Sequence, residues 1–173
     1  MSGEERRQQI LDRLKAVRSP ISGTDLAREF EVSRQVIVQD IALLRAFHKN
    51  ILATNKGYLY FSEQEEERKS KRTIKVKHKD SDILDEFYTI VDCGGKVMDV
   101  VVEHEIYGQI TVDLIISSRQ DAVQFVNKCK DSTSKTLNML TDGIHYHTVE
   151  ADDREVLDEI EKRLLEKGYL LKE

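Results

Sequence analysis

"GTDLAREFEVSRQVIVQDIALLR", residues 23–45, decides how the front of the chain folds. Leu26, Ala27 and Phe30 recur at helical spacing and predict a short helix, with Ser22 or Thr24 as its cap. "EVS" turns the chain, and Ser33 stands ready to cap a further helix running to about residue 46. In that helix Ile37, Ile41 and Leu44 make a buried stripe at spacings of four and three. Arg34, Gln35, Val38 and Gln39 are left outward in its first two turns.

Working outward, residues 4–17 place Ile10, Leu11, Leu14 and Val17 on one helical face. "RSPISG" ends that pattern at Pro20, the chain's only proline, which cannot continue a helix interior. Downstream, "ILAT" and "YLYF" flank the turn "NKG", a hairpin signal. Helix, helix, three-residue turn, helix and hairpin make a winged helix-turn-helix over residues 1–62. An α-helix fits the major groove of B-DNA, where Arg can bond guanine bidentately and Gln adenine. The positive end of the helix dipole, with Ser33 beside it, suits a phosphate. Lys56 at the hairpin tip can reach the backbone or the minor groove. The candidate DNA contacts are therefore Ser33, Arg34, Gln35, Val38, Gln39 and Lys56. The pattern alone also allows a polar helical face with no nucleic acid.

The charge distribution favours the first reading. Residues 1–60 hold ten Lys/Arg against seven Asp/Glu, while residues 61–173 hold seventeen against twenty-five. A mildly basic front and an acidic back suggest that only the front meets a polyanion. The stretch 23–45 resembles the winged helix-turn-helix of biotin-repressor-type and related bacterial regulators. The resemblance rests on Leu26-Ala27, the run Val32 to Gln35, Asp40-Ile41 and Leu44-Arg45. It implies a double-stranded DNA operator as partner.

A chain of 173 residues suits one large or two small domains. No apolar run approaches the roughly 18 residues that would span a bilayer. The start, "MSGEERRQQILDRL", is charged and helical in period, unlike a signal peptide. Cys93 and Cys129 have no CxxC spacing and are expected to be reduced core residues. These features predict a cytoplasmic protein with no membrane partner. Gly-rich phosphate loops, a Ser-His-Asp order and a Cys-His nucleophile pattern are all absent from the sequence.

A seam follows the first domain. "SEQEEERKSKR", residues 62–72, has no apolar residue, which predicts an exposed linker over 63–72. Beyond it "TIKVKH" reads as strand, 81–93 as helix, "KVMDVVVEH" and "QITVDLII" as strands, and Ser118 as the cap of a helix to about 129. Residues 143–149 read as strand and 152–167 as a closing helix that can also serve a subunit contact. The order β-α-β-β-α-β-α over residues 73–173 predicts an open-faced α/β sandwich, and the whole chain an α+β protein.

Within that domain "GIHYHTVE", residues 143–150, puts His145 and His147 on one face of a strand, about 6.5–7 Å apart. Tyr146 would point the other way, into the core if the helices cover that face. In a sandwich of this order the first and last strands can be neighbours, which would bring His78 beside the pair. Glu86 could then reach over from the following helix. Three imidazoles and a carboxylate suit Zn²⁺, Ni²⁺ or Fe²⁺. Spacing alone favours histidines solvated on strand edges and a glutamate on a helix surface.

A second resemblance bears on that choice. "HKDSDILDEFYTIVDCGGKVMDVVVEHEIYGQI", followed downstream by "DGIHYHT", resembles the three-histidine domain of niacin-responsive transcriptional repressors, where it also follows a winged helix-turn-helix. The resemblance implies a sandwich like that of the phosphocarrier protein HPr, with a divalent metal on His78, Glu86, His145 and His147. It points to His104 and Tyr107 as effector-binding residues. Glu105 stands where the family favours proline, which leaves the loop geometry open. It further implies nicotinate as co-repressor, genes of NAD synthesis and niacin uptake as targets, and a homodimer reading an inverted repeat. Two other readings are a metal-dependent enzyme carrying a regulatory DNA-binding domain, and a direct metal sensor.

Overall fold

A computed structural model describes residues 1–48, 50–62 and 69–172. The chain divides into two compact units, Met1–Glu67 and Arg68–Glu173. Each has its own apolar core, and together they give the α+β class.

The first unit opens with α1 (Gly3–Lys15), held at its start by a capping box between Ser2 and Glu5. Ile10, Leu11 and Leu14 are buried, while Val17 lies beyond the helix end and is only partly buried. The expected helical face of residues 4–17 thus stops short, because the chain turns ahead of Pro20. Ser22, rather than Thr24, caps α2 (Gly23–Glu29), and Ser33 caps α3 (Arg34–Phe47) by accepting the Val36 amide. Ile37, Ile41 and Leu44 pack against Leu26, Ala27 and the α1 stripe. The turn between α2 and α3 is tight enough to force Glu31 to a φ of 54°.

One polar residue joins that core. Asp40 lies on the inner face of α3, 3% exposed, and takes Arg6 Nε at 2.6 Å and Arg7 at 3.4 Å. This pins α1 to α3 with charge-assisted hydrogen bonds. Strands β1 (Ile51–Thr54) and β2 (Gly57–Tyr60) form the antiparallel wing. Ile21 adds a third edge, exchanging backbone hydrogen bonds with Tyr58 at 2.9 and 2.8 Å.

The second unit runs β3 (Ser70–Lys77), α4 (Ile83–Asp92), β4 (Lys96–His104), β5 (Gly108–Ile116), α5 (Arg119–Asp131), β6 (Ile144–Ala151) and α6 (Arg154–Glu166). Its four strands lie antiparallel in the order β3-β6-β4-β5. The expected β-α-β-β-α-β-α order is observed, with first and last strands side by side. Two 3-10 turns are additional: Asp80–Asp82 ahead of α4, and Leu137–Leu140 in the stretch between α5 and β6. Of the expected linker 63–72, residues 63–68 fall outside the described ones, and Ser70 to Arg72 are already strand. Alternating Lys and Arg hid that strand start, but Arg72 reaches Asp158 and Glu161 of α6, both at 2.7 Å. The C-terminal tail covers the β3 edge through Tyr169 and Leu171, whose backbones bond Lys77 and Lys75 at 2.9 Å.

Cys93 and Cys129 are free and only partly buried, less interior than expected. No helix among the described residues is long and apolar enough to cross a membrane.

Gly57 closes the wing onto Ile21. It sits at a φ of 135°, and a Cβ there would fall 2.2 Å from the Ile21 carbonyl oxygen. Gly57→Ala should therefore destabilise the first unit by about 1–3 kcal/mol through backbone strain. Chemical denaturation followed by circular dichroism measures this, and an unchanged midpoint would mean that the wing does not depend on this close approach.

Candidate functional site

The second unit gathers a buried polar cluster. On α4 the inward stripe is Ile83, Phe87 and Ile90, and Glu86 belongs to the same stripe with 0% exposure. A carboxylate in a core position is rare unless something pairs with it. On β6 the buried residues alternate as His145, His147 and Val149. Those histidines lie on the helix-covered side, and Tyr146 takes the open face beside Lys75 Nζ, 5.7 Å from its ring centroid. The expectation that Tyr146 enters the core is thus reversed, because Glu86 and its helix meet the histidine side. His78 follows the end of β3, where the pairing of Lys77 with Ile144 sets it beside His145, ring centroids 4.7 Å apart.

The four side chains meet head-on. His78 Nε2 is 2.6 Å from Glu86 Oε2, His145 Nε2 is 3.7 Å from the same oxygen, and His147 Nε2 is 3.3 Å from Oε1. Each ring is held from behind by a backbone carbonyl on Nδ1. His78 bonds Lys79 at 2.8 Å, His145 bonds Gly143 at 2.9 Å and His147 bonds Asp99 at 2.6 Å. A carbonyl only accepts, so every Nδ1 carries a proton and donates it. In the neutral ring, Nε2 is then a bare lone pair aimed at the carboxylate.

Lone pairs facing lone pairs cannot satisfy one another. A proton shared between His78 and Glu86 would settle one contact. Glu86 Oε1, His145 Nε2 and His147 Nε2 are still buried without a hydrogen-bond partner. Burial alone would push Glu86 up, but the charge of His147 and the approach of all three imidazoles hold it well below the usual carboxylate range. Burial also opposes charge on His78 and His147, yet Glu86 prevails and raises both. At His145 burial prevails and the pKa is lowered. A cation held by His78, Glu86 and His145, whose ligand atoms all lie within 4.8 Å of one another, would relieve that conflict, with His147 Nε2 facing Glu86 Oε1 from 3.3 Å. Ligand atoms held at ~2.1 Å by a tetrahedral ion stand about 3.4 Å apart, and the 3.3 and 3.7 Å separations match that spacing. Backbone-anchored Nδ1–H groups are the usual support of histidine ligands. The residues present therefore fit a divalent metal.

Two backbone features shape the cluster, and neither was readable in advance. A bulge in β4 between Val97 and Val101 frees the Asp99 carbonyl for His147, and the Asp99 side chain accepts the Thr148 amide at 2.7 Å. Gly143, at a φ of 84°, lets the chain pass His78 so closely that a Cβ would fall 2.6 Å from its carbonyl oxygen.

A cavity of about 250 Å³ opens beside the cluster. Glu86, His145 and His147 form one wall, Phe87, Val100, Leu114 and Phe125 most of the rest, and Lys135, Thr136 and Asn138 border it from the α5–β6 stretch. Those last residues gave no signal, since a mid-loop lysine has no distinguishing pattern. His104 and Tyr107 do not line it. They sit at the β4–β5 hairpin, where His104 Nδ1 accepts the amides of Ile106 and Tyr107 at 3.1 and 3.3 Å, and Tyr107 is exposed.

In the first unit Ser33, Arg34, Gln35 and Gln39 are exposed together at the start of α3, with Val38 partly exposed among them. Lys56 is partly buried at the wing turn, its amide bonded to Thr54 Oγ1 at 3.1 Å. Arg34 lies over the start of α2, its Nε within 3.6 Å of where a Cβ on Gly23 would be.

A capped groove-sized helix in one unit and a buried, metal-fitting cluster in the other define the class: a DNA-binding module joined to a second, separate domain. Comparison with known proteins carries this further. Residues 6–59 match an HTH domain and residues 71–173 match the 3H domain. The chain is 39% identical over 170 residues to the probable transcription repressor NiaR of Thermotoga maritima, covering 98% of this chain and 95% of that one. It is 38% identical over 174 residues to the transcription repressor NadR of Bacillus subtilis, covering 100% and 97%. The chain belongs to this family of transcription repressors with an HTH domain followed by a 3H domain, and so is a regulator rather than the enzyme considered above.

Removing the carboxylate tests the cluster itself. Glu86→Ala leaves buried imidazoles with no counter-charge and should cost the second unit about 3–5 kcal/mol. Denaturation of the variant measures it, and near-wild-type stability would show that the cluster does not depend on its glutamate.

Proposed function

We propose that this chain is a homodimeric, metal-containing repressor that binds its operator with nicotinate as co-repressor, acting in the cytoplasm on genes of NAD synthesis and niacin uptake. The observation that carries the metal reading is the pair of buried nitrogens, His145 Nε2 and His147 Nε2, that face Glu86 without hydrogen-bond partners. His78, Glu86, His145 and His147 would hold a Zn²⁺, Ni²⁺ or Fe²⁺ ion. Such an ion would supply a Lewis-acid anchor for a small ligand's carboxylate or ring nitrogen. Nicotinate follows from the resemblance to niacin-responsive repressors.

On the DNA side Arg34, Gln35 and Gln39 are proposed to read base edges, with Val38 against an apolar base edge such as a thymine methyl. Ser33 and Lys56 would contact phosphates and fix the register. A dimer follows from the usual symmetry of such readers, whose paired helices enter successive major grooves about one turn apart. As co-repressor, nicotinate must bind the DNA-competent arrangement more tightly, since equal affinity for both would shift nothing.

Arg34→Ala or Gln39→Ala should weaken operator binding by about 1–3 kcal/mol for a lost bidentate contact. Unchanged affinity in a mobility-shift titration would remove α3 from the groove. The double variant His145→Ala, His147→Ala should contain no divalent metal by elemental analysis, and nicotinate should then no longer tighten operator binding. Full metal retention would refute the ligand set. Operator binding that follows free metal with no organic effector would instead mark a direct metal sensor.

A further inference from the structure

We propose that Tyr169, in the tail behind α6, is a positioning residue for the buried cluster: it holds His78 against Glu86 and so sets how tightly, and for how long, a divalent cation is kept. The proposal rests on the reading of the cluster as a metal site and concerns a residue that supplies no ligand itself.

His78 is the least supported of the four. Glu86 sits inside α4, and His145 and His147 sit inside β6, a strand paired on both sides. His78 instead follows the last residue of β3, an edge strand, and its Nδ1 donates to the carbonyl of the very next residue. Strand ends at a sheet edge open easily unless other contacts hold them. Yet the His78 side chain is 1% exposed and meets Glu86 at 2.6 Å, the shortest contact in the cluster.

The tail supplies the missing support. Gly168, at a φ of 78°, turns the chain out of α6, and the next residues run antiparallel to β3, with Leu170 opposite Val76. The Lys77 amide, one residue before His78, donates to the Tyr169 carbonyl. That register sets the Tyr169 and His78 rings edge to face, centroids 5.3 Å apart and planes at 63°. The Tyr169 hydroxyl donates to Asp85 Oδ2 at 2.8 Å, and Lys167 donates to both Asp85 oxygens at 2.8 and 3.0 Å. The exposed Lys167–Asp85 pair adds little to stability by itself, but it fixes the acceptor to which the hydroxyl bonds. Asp85 immediately precedes Glu86 on α4. One side chain thus touches the imidazole of the closest contact and is anchored to the helix turn that carries its carboxylate. Tyr169 also borders an open surface basin of about 770 Å³ that reaches His78, so loss of its ring would let water onto that residue.

The test is Zn²⁺ binding by the full-length chain after chelator stripping. Affinity is read by competition against a chromogenic chelator, and release as the dissociation rate in excess EDTA. The melting temperature of each metal-free variant is read in parallel. Tyr169→Ala should weaken Zn²⁺ by about 10–100-fold, the usual cost of losing a group that supports a ligand from behind, and should speed release. Tyr169→Phe keeps the ring on His78 and loses the Asp85 bond, so it should retain more affinity than Tyr169→Ala. In a His78→Ala background either Tyr169 variant should cost nothing further, because its effect passes through that imidazole. A merely structural role would lower the melting temperature and weaken Zn²⁺ equally in both backgrounds. If Tyr169→Ala does not fold, Tyr169→Phe carries the same comparison, with release faster than wild type only while His78 is present. Wild-type affinity and release in the Tyr169 variants, or an equal loss with and without His78, would overturn the proposal while the metal site stands. A wild type that takes up no Zn²⁺ would bring down the metal reading and this proposal with it.

Discussion

The second unit is arranged around one electrostatic problem: a carboxylate and three imidazoles buried together, with acceptor facing acceptor. Glu86 is fully buried, and both histidines of β6 are nearly so. Such a group is costly unless a positive charge sits among it. The surroundings do nothing to relieve the conflict. They enforce it, since each Nδ1 is tied to a carbonyl of Lys79, Gly143 or Asp99 and no ring can turn to offer a proton instead. A strand bulge and a positive-φ glycine both serve to hold these lone pairs together, and that is the arrangement the proposed cation would relieve.

That arrangement links architecture to regulation. The cluster lies between α4 and β6, so an ion bound there would tie that helix to the sheet. The adjoining cavity borders the same helix through Ile83, Glu86 and Phe87, and the α5–β6 stretch through Thr136 and Asn138. A small ligand there would touch both the cluster and the second unit's least regular segment.

The first unit solves a different problem, that of exposing polar side chains while keeping their helix rigid. Ser33 caps α3, and Asp40 locks its inner face to Arg6 and Arg7 of α1. Ile21 ties the wing to the segment just before α2 through two backbone bonds to Tyr58. The outward residues at the start of α3 can then meet a partner without paying to order the backbone. Rigid elements presenting a few side chains are what base readout requires.

Much of this was legible in the residues. Helical spacing in 23–45 located both helices of the DNA-reading motif and its inward stripe, because a period of 3.6 can be read without neighbours. The β-branched run in "KVMDVVVEH" marked β4 end to end. The four cluster residues were nameable from the strand order and from resemblance. Which face of β6 met the helices was not, and Tyr146, expected in the core only if the helices covered its face, lies on the open side. A period of two says that faces alternate and not which one is covered. The start of β3 was hidden among Ser70, Lys71 and Arg72, whose place in a strand depends on Glu150, Asp158 and Glu161 brought from far along the chain. Asp99 and Gly143 act through backbone geometry, which no side-chain pattern announces. Local order in the chain determined the elements and the kinds of chemistry available. Tertiary structure alone decided which atoms of those residues confront one another, because that depends on contacts between segments that no local pattern encodes.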